Sequence, residues 1–228
     1  MQNSGDIRDE YIAQVVPGRS FADVGGLWGV INEKVSVAHK LGAISVTMID
    51  VKALAGDLWR QFQERMSSLG ITNYHCISKD ICELQLEEIG QPFDVVHCSG
   101  VLYHHPNPML VLKALNRITR EHLILTSATA QEVVQNENGR YQIPSSGVIF
   151  IPALDDSERK VLKEYWERVA VAALGITEKY AYRVEDFSAW WWLPTSAALR
   201  AMCTSVGFRI LDSAVTWGNN ALTLLLGV

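Results

Sequence analysis

Apolar and polar positions along this chain follow two periods in turn. Short, nearly unbroken apolar runs read as buried strands at "SFADV" (20–24), "ISVTMID" (44–50), "NYHCI" (73–77), "FDVVHCS" (93–99) and "HLILTSA" (122–128). The stretches around them carry helical spacing. Ile7, Tyr11, Ile12 and Val15 place a short helix near the N-terminus. A second helix is predicted over 30–41, closing at Gly42. A third spans 54–69, with Leu54, Leu58, Phe62, Met66 and Leu69 on one face and Gly70 beyond its end. Residues 108–118 read as another. Strands and helices that alternate in this way predict a parallel sheet covered on both faces.

After residue 129 the rhythm changes. "TAQEVVQNENGRYQIPSSG" is polar and turn-rich, and it leads into a helix predicted over 155–175. Asp155 can cap that helix, and Glu158, three residues on, completes a capping box. Its buried face is expected to hold Val161, Leu162, Tyr165, Trp166, Val169 and Leu174. An aromatic run, "AWWWLP", precedes a helix over 195–206 closed by Gly207. The last stretch, "FRILDSAVTWGNNALTLLLGV", reads as two strands joined at "GNN", a hairpin signal. The chain shows no internal repeat and no linker. The expectation is one domain over 1–228 with an insertion at about 129–190, longer than a sheet crossover needs.

Composition narrows the classes. The 228 residues, 48% hydrophobic and 20% charged, suit one globular domain with a real core. A net charge of −5 argues against a broad electrostatic footprint for nucleic acid. No apolar run approaches bilayer length, and "MQNSGDIRDEY" lacks the basic and apolar regions of a signal peptide. Cys76, Cys82, Cys98 and Cys203 are scattered without CxxC spacing, which reads as reduced thiols rather than a metal cluster. A cytoplasmic, metal-free protein is expected.

The candidate chemistry starts at "FADVGGLWGVI" (21–31), where Asp23 ends an apolar strand and Gly25, Gly26 and Gly29 follow. A tight turn needs one glycine, so three suggest that something other than protein comes close to the backbone. In open α/β sheets the turn after the first strand is a usual ligand site, with free N–H groups at the next helix. Asp50 ends the second strand about 20 residues later, where a carboxylate can bind both ribose hydroxyls or cap the next helix. Asp80 follows the third strand; it can accept from an adenine amine or cap a helix over 81–89. The fourth strand runs into "SGVLYHHPNP".

Together these residues resemble the class I methyltransferases that use S-adenosylmethionine. "DVGGLWG" looks like the family's first motif, Asp50 its second, Asp80 its adenine-side acid, and "FDVVHCSGVLYHHPNP" its fourth motif with the loop after it. The resemblance implies a Rossmann-like αβα sandwich with a seven-stranded, mostly parallel sheet and a reversed C-terminal strand. It implies that Asp23 and Gly25, in the turn with Gly26 and Gly29, hold the cofactor's methionine end. Asp50 would hold the ribose, Asp80 with Ile81 the adenine, and Ser99 and Gly100 the sulfonium side. One departure stands out: Leu27 replaces a usual glycine and Trp28 a usual small residue, and Leu27 is expected to hold the backbone slightly off the ligand. A dinucleotide oxidoreductase fits less well, since "GGLWG" lacks the GxGxxG spacing.

His104 and His105 follow the fourth strand, where the methyl should emerge; they are candidate bases, or they bond the loop and pack beside Pro106. Tyr103 is a candidate lining residue of the acceptor pocket, or a core aromatic. So are Trp190 and Trp191, because three consecutive tryptophans cannot all face one core. The insertion reads as a lid building the acceptor site. Three functions follow: O- or N-methylation of a small or mid-sized organic molecule first; then modification of an RNA base, since "WWWLPTSAALRAMCTSVGF" looks somewhat like the core of tRNA wobble-uridine carboxymethyltransferases; then a cofactor-binding partner subunit without turnover.

Overall fold

The five apolar runs fold as strands β1 (Ser20–Val24), β2 (Ser45–Asp50), β3 (His75–Ser78), β4 (Phe93–Ser99) and β5 (Thr119–Ala128). The computed structural model describes residues 5–228. Helices α1 (Ile7–Val15), α2 (Val35–Lys40), α3 (Asp57–Ser68), α4 (Leu86–Ile89) and α5 (Pro108–Ile118) lie among these strands. After β5 come β6 (Val133–Asn136), β7 (Gly139–Gln142), β8 (Val148–Phe150), α6 (Asp156–Arg168) and β9 (Trp192–Pro194). The chain closes with α7 (Ser196–Ser205), β10 (Arg209–Thr216) and β11 (Ala221–Gly227).

The main sheet has seven strands in the order β10-β11-β5-β4-β1-β2-β3. All are parallel except β11, which runs antiparallel to both β5 and β10. This is the expected sandwich with its reversed C-terminal strand. Side chains alternate between the two faces, so neighbours in one strand enter different cores. Phe21, Val95 and Ile124 pack under α1, α2 and α3 with Tyr11, Ile12, Val35, Trp59, Phe62 and Met66. Ala22, Val96 and Leu123 pack on the other face with Leu112 and Leu115 of α5 and Leu199 of α7. Both faces are covered, which is why these strands read as unbroken apolar runs.

Several boundaries differ from the expectation, each for a local reason. The helix predicted over 30–41 begins only at Val35, after a single 3₁₀ turn at Val30–Asn32. Glu33, 2% exposed, accepts from the Ser36 amide (2.8 Å) and from Arg65 Nε (2.9 Å), so its carboxylate starts the helix at that point. In α3 the buried face is Trp59, Phe62 and Met66, while Leu54 and Leu69 lie outside the helix and are exposed. Trp59 wins its place because its indole N–H donates to the Lys52 carbonyl (2.7 Å). Residues 81–89 form a turn followed by the short α4, capped by Gln85 rather than Asp80. Helix α6 keeps the predicted capping box of Asp155 and Glu158 but ends at Arg168, before the left-handed Ala170. The polar stretch after 129 holds a hairpin, β6–β7, across Glu137 and Asn138.

The stretch between β5 and α7 has a third apolar cluster, in which Val134, Ile149, Ile151, Leu162, Trp166 and Trp190 meet Tyr103 from the loop after β4.

Candidate active site

Strand order reverses between β1 and β4, so the crevice at their carboxyl ends is where an open α/β sheet takes a ligand. The turn after β1 is pinned there by the Gly25 N–H, which donates to the Ile49 carbonyl at 2.8 Å. Gly25 has φ +77°, and a Cβ on it would overlap the Val101 side chain. A Cβ on Gly26 would overlap the Asp23 carboxylate. Two of the three glycines are therefore required by protein atoms, and only the ground beside Gly29 is open.

Asp23 departs from its expected place on the cofactor's methionine end. Its side chain is fully buried: Oδ1 lies 2.7 Å from His97 Nδ1, and Oδ2 accepts the Lys34 N–H at 2.8 Å. Both oxygens are turned inward, where they tie the exit of the turn to β4. Nothing in the sequence pattern singles out His97 except that it is a lone imidazole inside "FDVVHCS". Leu27 does not hold a ligand off the turn either, because its side chain is fully buried in the core with α1–α3. Trp28 is 76% exposed, with Lys52 Nζ 5.7 Å from its ring centre.

Asp50 stands at the end of β2 and is 7% exposed. Its Oδ1 accepts the Lys52 N–H at 3.0 Å, and α3 is capped at Gly56 instead, so Asp50 is not a helix cap. Burial pushes its carboxyl upward, against the lowering pull of the Lys52 and Leu27 amides. Asp80 accepts the Cys82 N–H at 2.8 Å and faces His105 Nε2 at 3.4 Å. The His105 hydrogen bond holds its carboxyl below the ordinary range despite partial burial. The Ile81 side chain is 4% exposed and belongs to the core.

His105 does not serve as an available base in this arrangement. Its Nδ1 accepts the Asn107 N–H (2.9 Å), so the proton sits on Nε2, directed at Asp80. Phe187 stacks on the ring at 5.1 Å. Asp80, Cys82 and His105 bring three ligand-type atoms within 4.8 Å of one another. The protonated Nε2 closes that group by hydrogen bonding, since a metal needs the lone pair this nitrogen lacks.

His104 donates from Nδ1 to the Ala189 carbonyl (3.2 Å), which leaves Nε2 as the acceptor. Burial lowers its pKa to about 4, against the opposing pull of the Ala189 and Ser188 carbonyls. It is a neutral, weak base. Tyr103 and Trp190 do not line an open acceptor pocket: they are 6% and 3% exposed and pack on one another at 4.4 Å. The tryptophans divide among three environments. Trp190 enters the insertion core, Trp191 sits beside Phe150 and Tyr182, and the Trp192 indole N–H donates to the Pro106 carbonyl (2.9 Å). Trp191 is buried too, and its indole N–H has no partner among the described residues.

Ser99 and Gly100 lie at the end of β4, on the same edge as Asp50. Ser99 Oγ accepts from Arg8 Nη1 at 3.2 Å, and Gly100 N–H donates to Thr126 O at 3.2 Å. The sequence pattern does not single out Arg8 and Lys34 either. Lys34 donates its amide to Asp23, and its Nζ reaches Asp6 (2.8 Å) and Asp9 (2.5 Å) of the α1 start.

Comparison with known proteins follows the same lines. The sequence matches a family model described as a methyltransferase domain over residues 36–185, more than half of the chain. The fold is similar to magnesium protoporphyrin IX methyltransferase from Synechocystis PCC 6803 with bound SAH, at 17% identity and a TM-score of 0.57, covering 97% of this chain and 81% of that one. It is similar to the N-terminal domain of EvdMO1 in the presence of SAH and D-fucose, at 17% identity and 0.57, covering 99% and 83%. It is also similar to an S-adenosylmethionine dependent methyltransferase from Mesorhizobium loti, at 13% identity and 0.57, covering 97% and 96%. At these identities the solved structures speak for the fold. No curated protein sequence matches the chain.

Proposed function

The chain belongs to the family of methyltransferase domains, and from that premise we propose that it moves the methyl group of S-adenosylmethionine onto a small or mid-sized organic acceptor. The observation that carries the reading is Asp50, at the carboxyl end of β2, one strand from the pinned glycine turn. Two local N–H donors leave a carboxylate with acceptor capacity for a pair of vicinal hydroxyls. Asp80, with an oxygen toward His105 and a backbone donor on the other, would accept from the adenine amine. The turn of Gly25 to Gly29 and the backbone at Ser99 and Gly100 would flank the methionine end, and Asp23 would hold that turn from behind.

S-adenosylmethionine, when bound, supplies a methyl already activated on a sulfonium. The chain's own task is then alignment and exclusion of water. The insertion would serve as the cover: just beyond it, the backbone N–H of Trp191 donates to the Tyr103 carbonyl at 2.7 Å, which ties it to the loop where the methyl would emerge. A small acceptor also suits the net charge of −5 and the substrate in the name of the Synechocystis relative, magnesium protoporphyrin IX.

The test is calorimetric titration with S-adenosylhomocysteine. Wild type should bind it, and Asp50→Ala should bind about 100-fold more weakly, the loss of roughly two charge-assisted hydrogen bonds. An absence of binding to wild type, or equal binding by the variant, overturns the reading.

A further inference from the structure

A cavity of about 570 Å³ opens between the start of α1 and the β10–β11 hairpin, lined in part by Asp6, Arg8, Glu10, Thr216, Trp217 and Thr223. Its size is in the range for a mid-sized organic ligand. It adjoins the candidate site, because Arg8 donates to Ser99 at the end of β4 and Trp217 meets Tyr103 edge-on at 6.5 Å.

The charges around it have a definite sign. Arg8 is committed to Asp6 through Nε and Nη2 (2.8 and 2.6 Å), and Lys34 to Asp6 and Asp9. Glu10 has no cationic partner among the described residues. Among the described residues the cavity thus presents a carboxylate without a counter-ion, the wrong sign for a carboxylate or phenolate ligand. The same cavity is lined by an indole. Trp217 is 36% exposed, with left-handed backbone (φ +49°) fixed by Asn220, whose Nδ2 donates to the Trp217 and Gly218 carbonyls at 3.1 and 3.2 Å. Tyr165 in turn donates to Asn220 Oδ1. A carboxylate and an aromatic face together select a cation.

We propose, building on the methyl-transfer reading, that the acceptor is an amine and that this cavity is its site, its nitrogen shared between Glu10 and the Trp217 ring. The ammonium form docks and loses one proton to water. The nitrogen lone pair then forms the N–C bond as the C–S bond breaks, and the C–S electron pair stays on sulfur. Positive charge passes from sulfur to nitrogen, where Glu10 and Trp217 stabilise it. His104 fits this chemistry, since a base held at about 4 is poorly matched to an alcohol hydroxyl.

The test compares tryptamine, tryptophol and indole-3-propionate, which share a ring and differ in headgroup, by calorimetry on the full chain with and without S-adenosylhomocysteine. Tryptamine should bind about tenfold more tightly than tryptophol, and indole-3-propionate most weakly. Glu10→Gln should abolish the amine preference, and Trp217→Leu should weaken tryptamine, with S-adenosylhomocysteine affinity unchanged in both. Equal binding of the three probes, no binding of tryptamine, or a preference that survives Glu10→Gln overturns the proposal. Tryptamine binding without S-adenosylhomocysteine binding would instead sustain the amine site and overturn the cofactor reading.

Discussion

At His104, burial decides what an imidazole can do. An unfolded histidine titrates near 6.5, whereas this one is pushed down to about 4 by burial, against the Ala189 and Ser188 carbonyls. Between those two values the unfolded chain takes up a proton that the folded chain refuses. Stability is therefore full above about pH 6.5 and falls as the pH drops toward 4, by about 2–3 kcal/mol over the window. Denaturant midpoints at pH 7.5 and 4.5 should show this fall in wild type and a smaller one in His104→Gln. Equal falls in the two proteins would count against the assignment. The acids of the site could be placed on the sheet edge from their spacing along the sequence, but the aim of each side chain could not. Asp23 faces inward because its partners, Lys34 and His97, lie 11 and 74 residues away. No local pattern encodes pairings of that range.

Elements were legible where one local signal dominated. Strands β1 and β4 and helix α5 carry the predicted limits, because strands buried on both faces are apolar throughout. The hairpin of β6 and β7 escaped detection because its strands have four residues each and Val133 is 45% exposed, so the alternation is too short to stand out. Val30 and Ile31 extend the helical pattern of α2 backward, yet Ile31 is 76% exposed and buried Glu33 sets the start. The clearest local signal in the insertion was the capping box of α6. Asp155 accepts the Ser157 and Glu158 amides at 2.8 Å each, and Glu158 returns a bond to the Asp155 amide at 3.1 Å. Asp155→Ala should lower stability by the loss of the cap, with faster amide exchange in the first turn of α6 and no change in α5. Unchanged exchange in α6 would mean that the capping box does not hold that end.

Across the whole molecule, two apolar layers flank one sheet, a third cluster belongs to the insertion, and Lys34 spans the boundary between sheet edge and N-terminal helix. Its amide is held by Asp23 under the glycine turn, and its side chain, 5% exposed, ends in an ammonium held by Asp6 and Asp9 of the α1 start. Lys34→Met should cost about 2 kcal/mol by leaving partly buried carboxylates short of a counter-ion. It should also raise hydrogen exchange in residues 7–15 and weaken S-adenosylhomocysteine, although Lys34 is not expected to touch that ligand. An effect on exchange with no effect on affinity would limit the lysine to anchoring α1. The wiring has a practical meaning for how the two halves of the reaction meet. On the proposed reading, Lys34 joins the floor beneath the donor to the wall of the acceptor cavity, so a guest settling on one side should steady the other, and filling one berth should prepare its neighbour.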